Sequence, residues 1–236
     1  MNHVSNQTRP GLLDGTDVSA EAGAATTTGS PARVLRDTYS LLSMTLLFSA
    51  ACVAASVALS LPAPGILLTL AGYFGLLFAV HRFKDSGWAL PAVFALTGFM
   101  GYTLAPMLTK TLAAVGGAQV LTLALGATGV TFLALSAWVL TTRRDFSFMG
   151  GFLFAGMVIA LLAGLGAIWL QIPALGLAVA AVVALLSAGL ILYETSRIVH
   201  GGETNCVVAT VGLYVLIFNL FTSLLSLFGL GGSDDS

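Results

Sequence analysis

Residues 189–221 read GLILYETSRIVHGGETNCVVATVGLYVLIFNLF. Two long apolar runs meet there across one short polar turn, and most of the side chains a bilayer would exclude are gathered in it. Glu194 follows an unbroken series of apolar and small residues. Arg197 lies three positions on and so on the same helical face. Asn219 sits inside the next apolar run. An ionisable group at the edge of hydrocarbon is a functional candidate by default.

Outward from this stretch, the composition has the same character. The chain has 236 residues, 57% of them hydrophobic and 8% charged, whereas a soluble domain is roughly one quarter charged. Apolar runs of about 20 residues recur, which is the length a helix needs to cross hydrocarbon; barrel strands would be about ten residues with strict alternation. The expected class is an all-α integral membrane protein. A net charge of −1 and the lack of a Lys/Arg-rich run argue against a nucleic-acid partner and leave membrane lipids as the surrounding medium.

Seven spans are expected, near 38–61, 65–81, 89–108, 118–140, 147–170, 173–193 and 206–228, with Asp37 capping the first helix. Proline opens the helices after the tight turns at 61–65 and 170–176, and Pro106 is expected to kink or end the third span. Residues 1–32, rich in Gly, Ala, Ser and Thr, form a disordered tail; 33–230 form the transmembrane domain; 231–236 are a short acidic end. No basic region followed by an apolar run and a cleavage site appears in the tail, so no removable signal is expected.

Charge sets an expected orientation. Arg9, Arg33, Arg36, Arg82, Lys84, Arg143, Arg144 and Arg197 fall on one face and Lys110 alone on the other. Basic residues in short loops stay in the cytoplasm. The amino terminus is thus expected in the cytoplasm and the acidic carboxyl end in the periplasm. Small residues at Gly176, Ala180, Ala184 and Ala188, and at Gly98, Gly101, Gly150, Gly151 and Gly156, are read as close helix contacts.

No constellation for chemistry emerges. There is no nucleophile motif, no zinc motif, no nucleotide-binding glycine loop and no pair of acids within a span. His200 and Glu203 are separated by two glycines and read as loop residues, and Cys52 and Cys206 as small apolar side chains. The expectation is a non-enzyme without cofactor or metal. For Glu194 two readings stay open: an interfacial carboxylate pointing to water beside Arg197, or a partly buried carboxyl facing the last helix that senses pH. Asn219 is read as an interhelical hydrogen-bonding group.

The segment LILYETSRIVHGGETN followed by ATVGLYVLIFNLFTSLLSLFG resembles the carboxyl-terminal signature of the Bax inhibitor (transmembrane Bax-inhibitor-motif) family. VLRDTYSLLSMTLLFSA, LPAPGILLTLAGYFGLLF, FALTGFMGYTLAP, SAWVLTTRRDFSFMGGFLFAG and LQIPALGLA are similar to its bacterial YccA-like branch, so the resemblance covers residues 33–230. It implies a seven-helix bundle with the last helix near the centre, surrounded by the other six. It also implies a bacterial inner-membrane protein that restrains, and is degraded by, the ATP-dependent protease FtsH. A tail of about 30 residues at roughly 3.3 Å each extends about 100 Å, long enough to thread into an ATPase pore.

Another branch of the family is linked to a pH-sensitive calcium leak, with an acid on the sixth helix sharing a proton with one on the seventh. Glu194 matches the first acid, but Leu216 stands where the second is expected. Without it a like-charge dyad cannot form. That departure favours the protease modulator over the alternative, a calcium or cation leak.

Overall fold

The computed structural model describes residues 30–231, and the expected tail and acidic end fall almost wholly outside the described residues. Seven helices run in order: α1 Pro31–Ala58, α2 Ile66–Phe83, α3 Ala89–Ala113, α4 Gly117–Thr142, α5 Gly150–Leu170, α6 Pro173–Val199 and α7 Cys206–Gly231. One 3-10 turn, Ser147–Met149, leads into α5. All seven are long and apolar enough to cross a membrane. With no water in the hydrocarbon to bond a bare amide, such runs must satisfy every backbone group internally, and the helix does so.

The helix ends follow local chemistry. Proline occupies the first turn of α1 and of α6, where its missing N–H costs nothing. Left-handed residues close α4 at Arg143 (φ 48°) and α5 at Gln171 (φ 52°). Gly116 (φ 72°) makes the turn into α4, a conformation glycine adopts without a Cβ penalty.

Three expected boundaries shift. Helix α1 begins at Pro31, with Ser30 at its cap position, so Asp37 lies inside the helix and accepts a hydrogen bond from the neighbouring Arg36 Nε at 3.3 Å. Helix α3 passes through Pro106 to Ala113. Helix α6 continues to Val199, which places Glu194 and Arg197 within it. Hydropathy marks where hydrocarbon ends, whereas helical hydrogen bonding continues into the interface.

Helix α7 is the hub. Half of its membrane window is buried inside the protein, against 6% for α2, and it touches α1, α2, α3, α4 and α6. It does not touch α5, which reaches the bundle through α6 and the turn before it. The expectation of six surrounding helices is therefore corrected to five.

Small residues explain this layout. A Cβ on Gly156 would meet Leu186 at 2.9 Å and one on Gly189 would meet Leu153 at 2.9 Å, which lets α5 and α6 approach closely. Around Gly176 nothing lies within 4 Å, nor around Gly151; the expected small-residue ladder of α6 makes no close contact at its Gly176 end. Between α1 and α3 the Phe48 and Phe94 rings meet edge to face at 5.2 Å. Beside them a Cβ on Gly101 would fall 2.6 Å from the Ser49 carbonyl oxygen.

Candidate functional site

The polar side chains of the deciding stretch converge at the end of the bundle where α6 stops and α7 begins. Arg197 follows Glu194 by three residues on a continuous helix, so its guanidinium lies over the carboxylate: Nη1 donates to both Glu194 oxygens at 3.2 Å. Its Nη2 donates to Glu203 Oε2, also at 3.2 Å. The α6–α7 connection turns back at Gly201 and brings Glu203 to the same cation. Arg197 further lies 5.6 Å above the Tyr193 ring, a cation–π contact.

The three charged side chains are largely covered, with 18% of Glu194, 29% of Arg197 and 14% of Glu203 exposed. At that depth a fork-shaped guanidinium holding two carboxylates is a well-matched arrangement, since each group keeps a charged hydrogen-bonding partner as water is withdrawn. The Glu194 carboxyl lies against the α7 backbone at Gly212, where a Cβ would sit 3.6 Å from it.

The cluster extends to a third element. Glu203 Oε1 accepts the Asn205 amide at 3.0 Å, and Asn205 Oδ1 caps α7 by accepting from Val207 at 2.9 Å and Val208 at 3.2 Å. Asn205 Nδ2 donates to Asp85 Oδ1 at 3.0 Å and to the Lys84 carbonyl at 3.3 Å, in the α2–α3 connection. Alongside, Ser196 Oγ accepts the Phe146 amide at 3.1 Å, and the His200 ring bridges the Ser196 and Arg143 carbonyls at 2.9 and 3.0 Å. The connections after α2 and α4 are thereby fastened to the ends of α6 and α7. In the α4–α5 connection, hydrogen bonds from Ser147 and the charge of His200 hold the Asp145 carboxyl below the usual carboxylate range.

Of the residues singled out from sequence, Glu194 and Arg197 are brought together and Asn219 is not. Asn219 lies seven residues beyond Gly212, roughly 10 Å further along α7. It is half-buried, and among the described residues its amide makes no side-chain hydrogen bond; only its carbonyl accepts, from Thr222 Oγ1 at 3.1 Å. The expected interhelical hydrogen bond is absent among the described residues. Leu216 is 7% exposed and packs with Ile191 and Leu220, one turn deeper than Gly212.

Glu203 and Asn205 were missed as members of the cluster. Glu203 drew attention only as a neighbour of His200, and no group of three metal-binding side chains exists among the described residues. Asn205 carried a usable signal: an Asn directly before an apolar run is a cap residue. Tyr214 was also missed. Its hydroxyl lies 2.6 Å from Ser49 Oγ and donates to the Thr97 carbonyl at 3.2 Å, tying α7 to α1 and α3 in the core.

Comparison with known proteins agrees with this architecture. The family described as "Inhibitor of apoptosis-promoting Bax1" matches residues 31–233. The chain is 50% identical over 202 residues to "Modulator of FtsH protease YccA" of Escherichia coli K12, covering 86% of this chain and 92% of that one. An uncharacterized protein of Pseudomonas aeruginosa is 48% identical over 86% of this chain and 91% of its own length. For an uncharacterized membrane protein of Vibrio cholerae the identity is 44%, over 86% and 92%. With seven membrane-crossing helices and a match across all of them, this chain is a multi-pass membrane protein of the Bax inhibitor family.

Proposed function

We propose that this chain is an inner-membrane modulator of the FtsH protease, which it both restrains and serves as a substrate. The observation that carries the proposal is the 50% identity over 86% of the chain to a protein named as a modulator of that protease. The supporting physics is mechanical. A protease that pulls on a membrane protein must unravel its bundle. Here the connections after α2 and α4 are pinned to the ends of α7 and α6 by the Asn205 and His200 contacts, and Arg197 ties α6 to Glu203 in the connection between them.

In this proposal the amino terminus lies in the cytoplasm and the acidic end in the periplasm, because the basic residues gather at the Glu194 end of the bundle. Residues 1–32 are the protease's handle, residues 33–230 the membrane domain and 231–236 the acidic end. The role requires no catalytic group. Glu194 and Arg197 act as the polar anchor of α6 on α7, and a calcium leak is not the favoured reading, since Glu194 is held by a cation and Leu216, where the second acid would be needed, packs among Ile191 and Leu220.

Co-purification from gently solubilised membranes tests the association. The full chain and a version starting at Val34 are both expected to bring FtsH with them, the shortened one with a longer lifetime in cells. Recovery of no protease with either form refutes the association; an unchanged lifetime refutes the handle. Reconstituted vesicles are expected to show no pH-dependent calcium flux.

A further inference from the structure

Among the described residues, the end of the bundle opposite Glu194 is almost free of charge. Its connections, residues 59–65, 114–116 and 171–172, contain no Asp, Glu, Lys, Arg or His. In the half of each helix next to them, Lys110 is the single charged side chain among the described residues. It lies in the last turn of α3 and is exposed. Among the described residues its ammonium has no carboxylate partner.

Lys110 lines a cleft of about 420 Å³ whose walls come from α2, α3 and α7. Met107 and Phe218 are among its apolar lining, and its polar side chains besides Lys110 are Thr69, Thr103 and Thr222. Each threonine hydroxyl already donates to a backbone carbonyl of its own helix or its cap: Thr69 to Gly65, Thr103 to Met100 and Thr222 to Phe218. What remains facing a ligand is therefore one cationic donor and three hydroxyl oxygens able to accept.

Depth identifies the surroundings. Lys110 is three residues from the end of α3, at the level where a helix leaves hydrocarbon for headgroups. At the same end Trp169, one residue from the end of α5, is 91% exposed, a side chain that settles at the membrane interface. A cleft with apolar walls at that level meets acyl chains, and an exposed ammonium at its rim meets lipid phosphates.

We propose that this cleft is a binding site for an anionic glycerophospholipid of the phosphatidylglycerol type. One acyl chain lies against Phe218 and Met107, the phosphodiester pairs with Lys110, and the headgroup hydroxyls donate to the free lone pairs of the threonines. A phosphatidylethanolamine headgroup fits less well because its own ammonium competes for the phosphate.

Native mass spectrometry of the full chain in detergent, titrated separately with phosphatidylglycerol, phosphatidylethanolamine and inorganic phosphate, tests the assignment. Phosphatidylglycerol is expected to bind about fivefold more tightly than phosphatidylethanolamine, the gain from one basic group beside an anionic lipid. Lys110→Gln should remove that preference while the protein stays folded. Thr222→Leu, which fills the cleft, should weaken both lipids, and Arg82→Gln at the other end should leave the preference intact. Equal binding of the two lipids by the unaltered chain overturns the proposal, as does a preference that survives Lys110→Gln. Binding of inorganic phosphate alone that matches the lipid would show a soluble-anion site and equally overturn it.

Discussion

Replacing Arg197 by Met keeps the aliphatic stem over Tyr193 and removes only the charge and its donors. Glu194 and Glu203 would then face each other across the α6–α7 connection with no cation between them. The loss comprises the hydrogen bonds from Nη1 to Glu194 and from Nη2 to Glu203, both at 3.2 Å, each contributing about 1.5–3 kcal/mol when charged groups are involved. The contact with the Tyr193 ring adds about 0.5–1 kcal/mol. The carboxylates remain 18% and 14% exposed, so water recovers part of this, and a net cost of about 2–4 kcal/mol is expected. For a chain of this size that lowers the unfolding midpoint by roughly 5–12 °C, readable by tryptophan fluorescence in detergent. Combining Arg197→Met with Glu194→Gln removes one of the two carboxylate charges left facing each other and should restore at least about 1 kcal/mol, a non-additivity expected of groups in direct contact. A midpoint shift below about 1 °C for Arg197→Met, or strict additivity in the double variant, would refute the picture of a covered carboxylate–guanidinium–carboxylate cluster.

Asn205→Ala removes the cap of α7 and the link to Asp85, and should cost about 1–2 kcal/mol, with hydrogen exchange accelerated in the first turn of α7. Tyr214→Phe leaves Ser49 Oγ and the Thr97 carbonyl without their partner in the core and is expected to cost about 1–3 kcal/mol in thermal unfolding. Gly101→Ala should destabilise by about 1–3 kcal/mol because the new methyl meets the Ser49 backbone. Gly176→Ala, in open space, should be neutral or slightly stabilising in the same scan; comparable losses at both positions would contradict the packing described for α1 and α3.

The seven helices were legible because each rests on one strong signal, an apolar run long enough to cross hydrocarbon. Their ends were less so. The segment PARVLRD at the start of α1 is helix-competent but not apolar, and ETSRIV at the end of α6 is likewise, so hydropathy alone cut both helices short. The Glu194–Arg197 pair was visible because both partners lie on one helix at fixed spacing. Glu203 was not: its approach depends on a connection reversing at Gly201, a tertiary event that no periodicity encodes. Tyr214 needed the same kind of knowledge, since its partners Ser49 and Thr97 are remote in sequence and each reads as an ordinary small residue of a helix contact. The ladder of Gly176 through Ala188 showed the opposite failure. Spacing identified a smooth face, and Ala184 on it packs against the Ile191–Leu216–Leu220 cluster, but the tight contacts with α5 fall at Leu186 and Gly189, beside the ladder and not on it.

The most direct measurement is the half-life of a membrane-embedded FtsH substrate in cells that produce this chain at levels comparable to the protease. The account predicts a lengthened half-life with the full chain, lengthened as much or more when the chain begins at Val34. A substrate half-life unaffected by either form, with both present in the membrane, would contradict it.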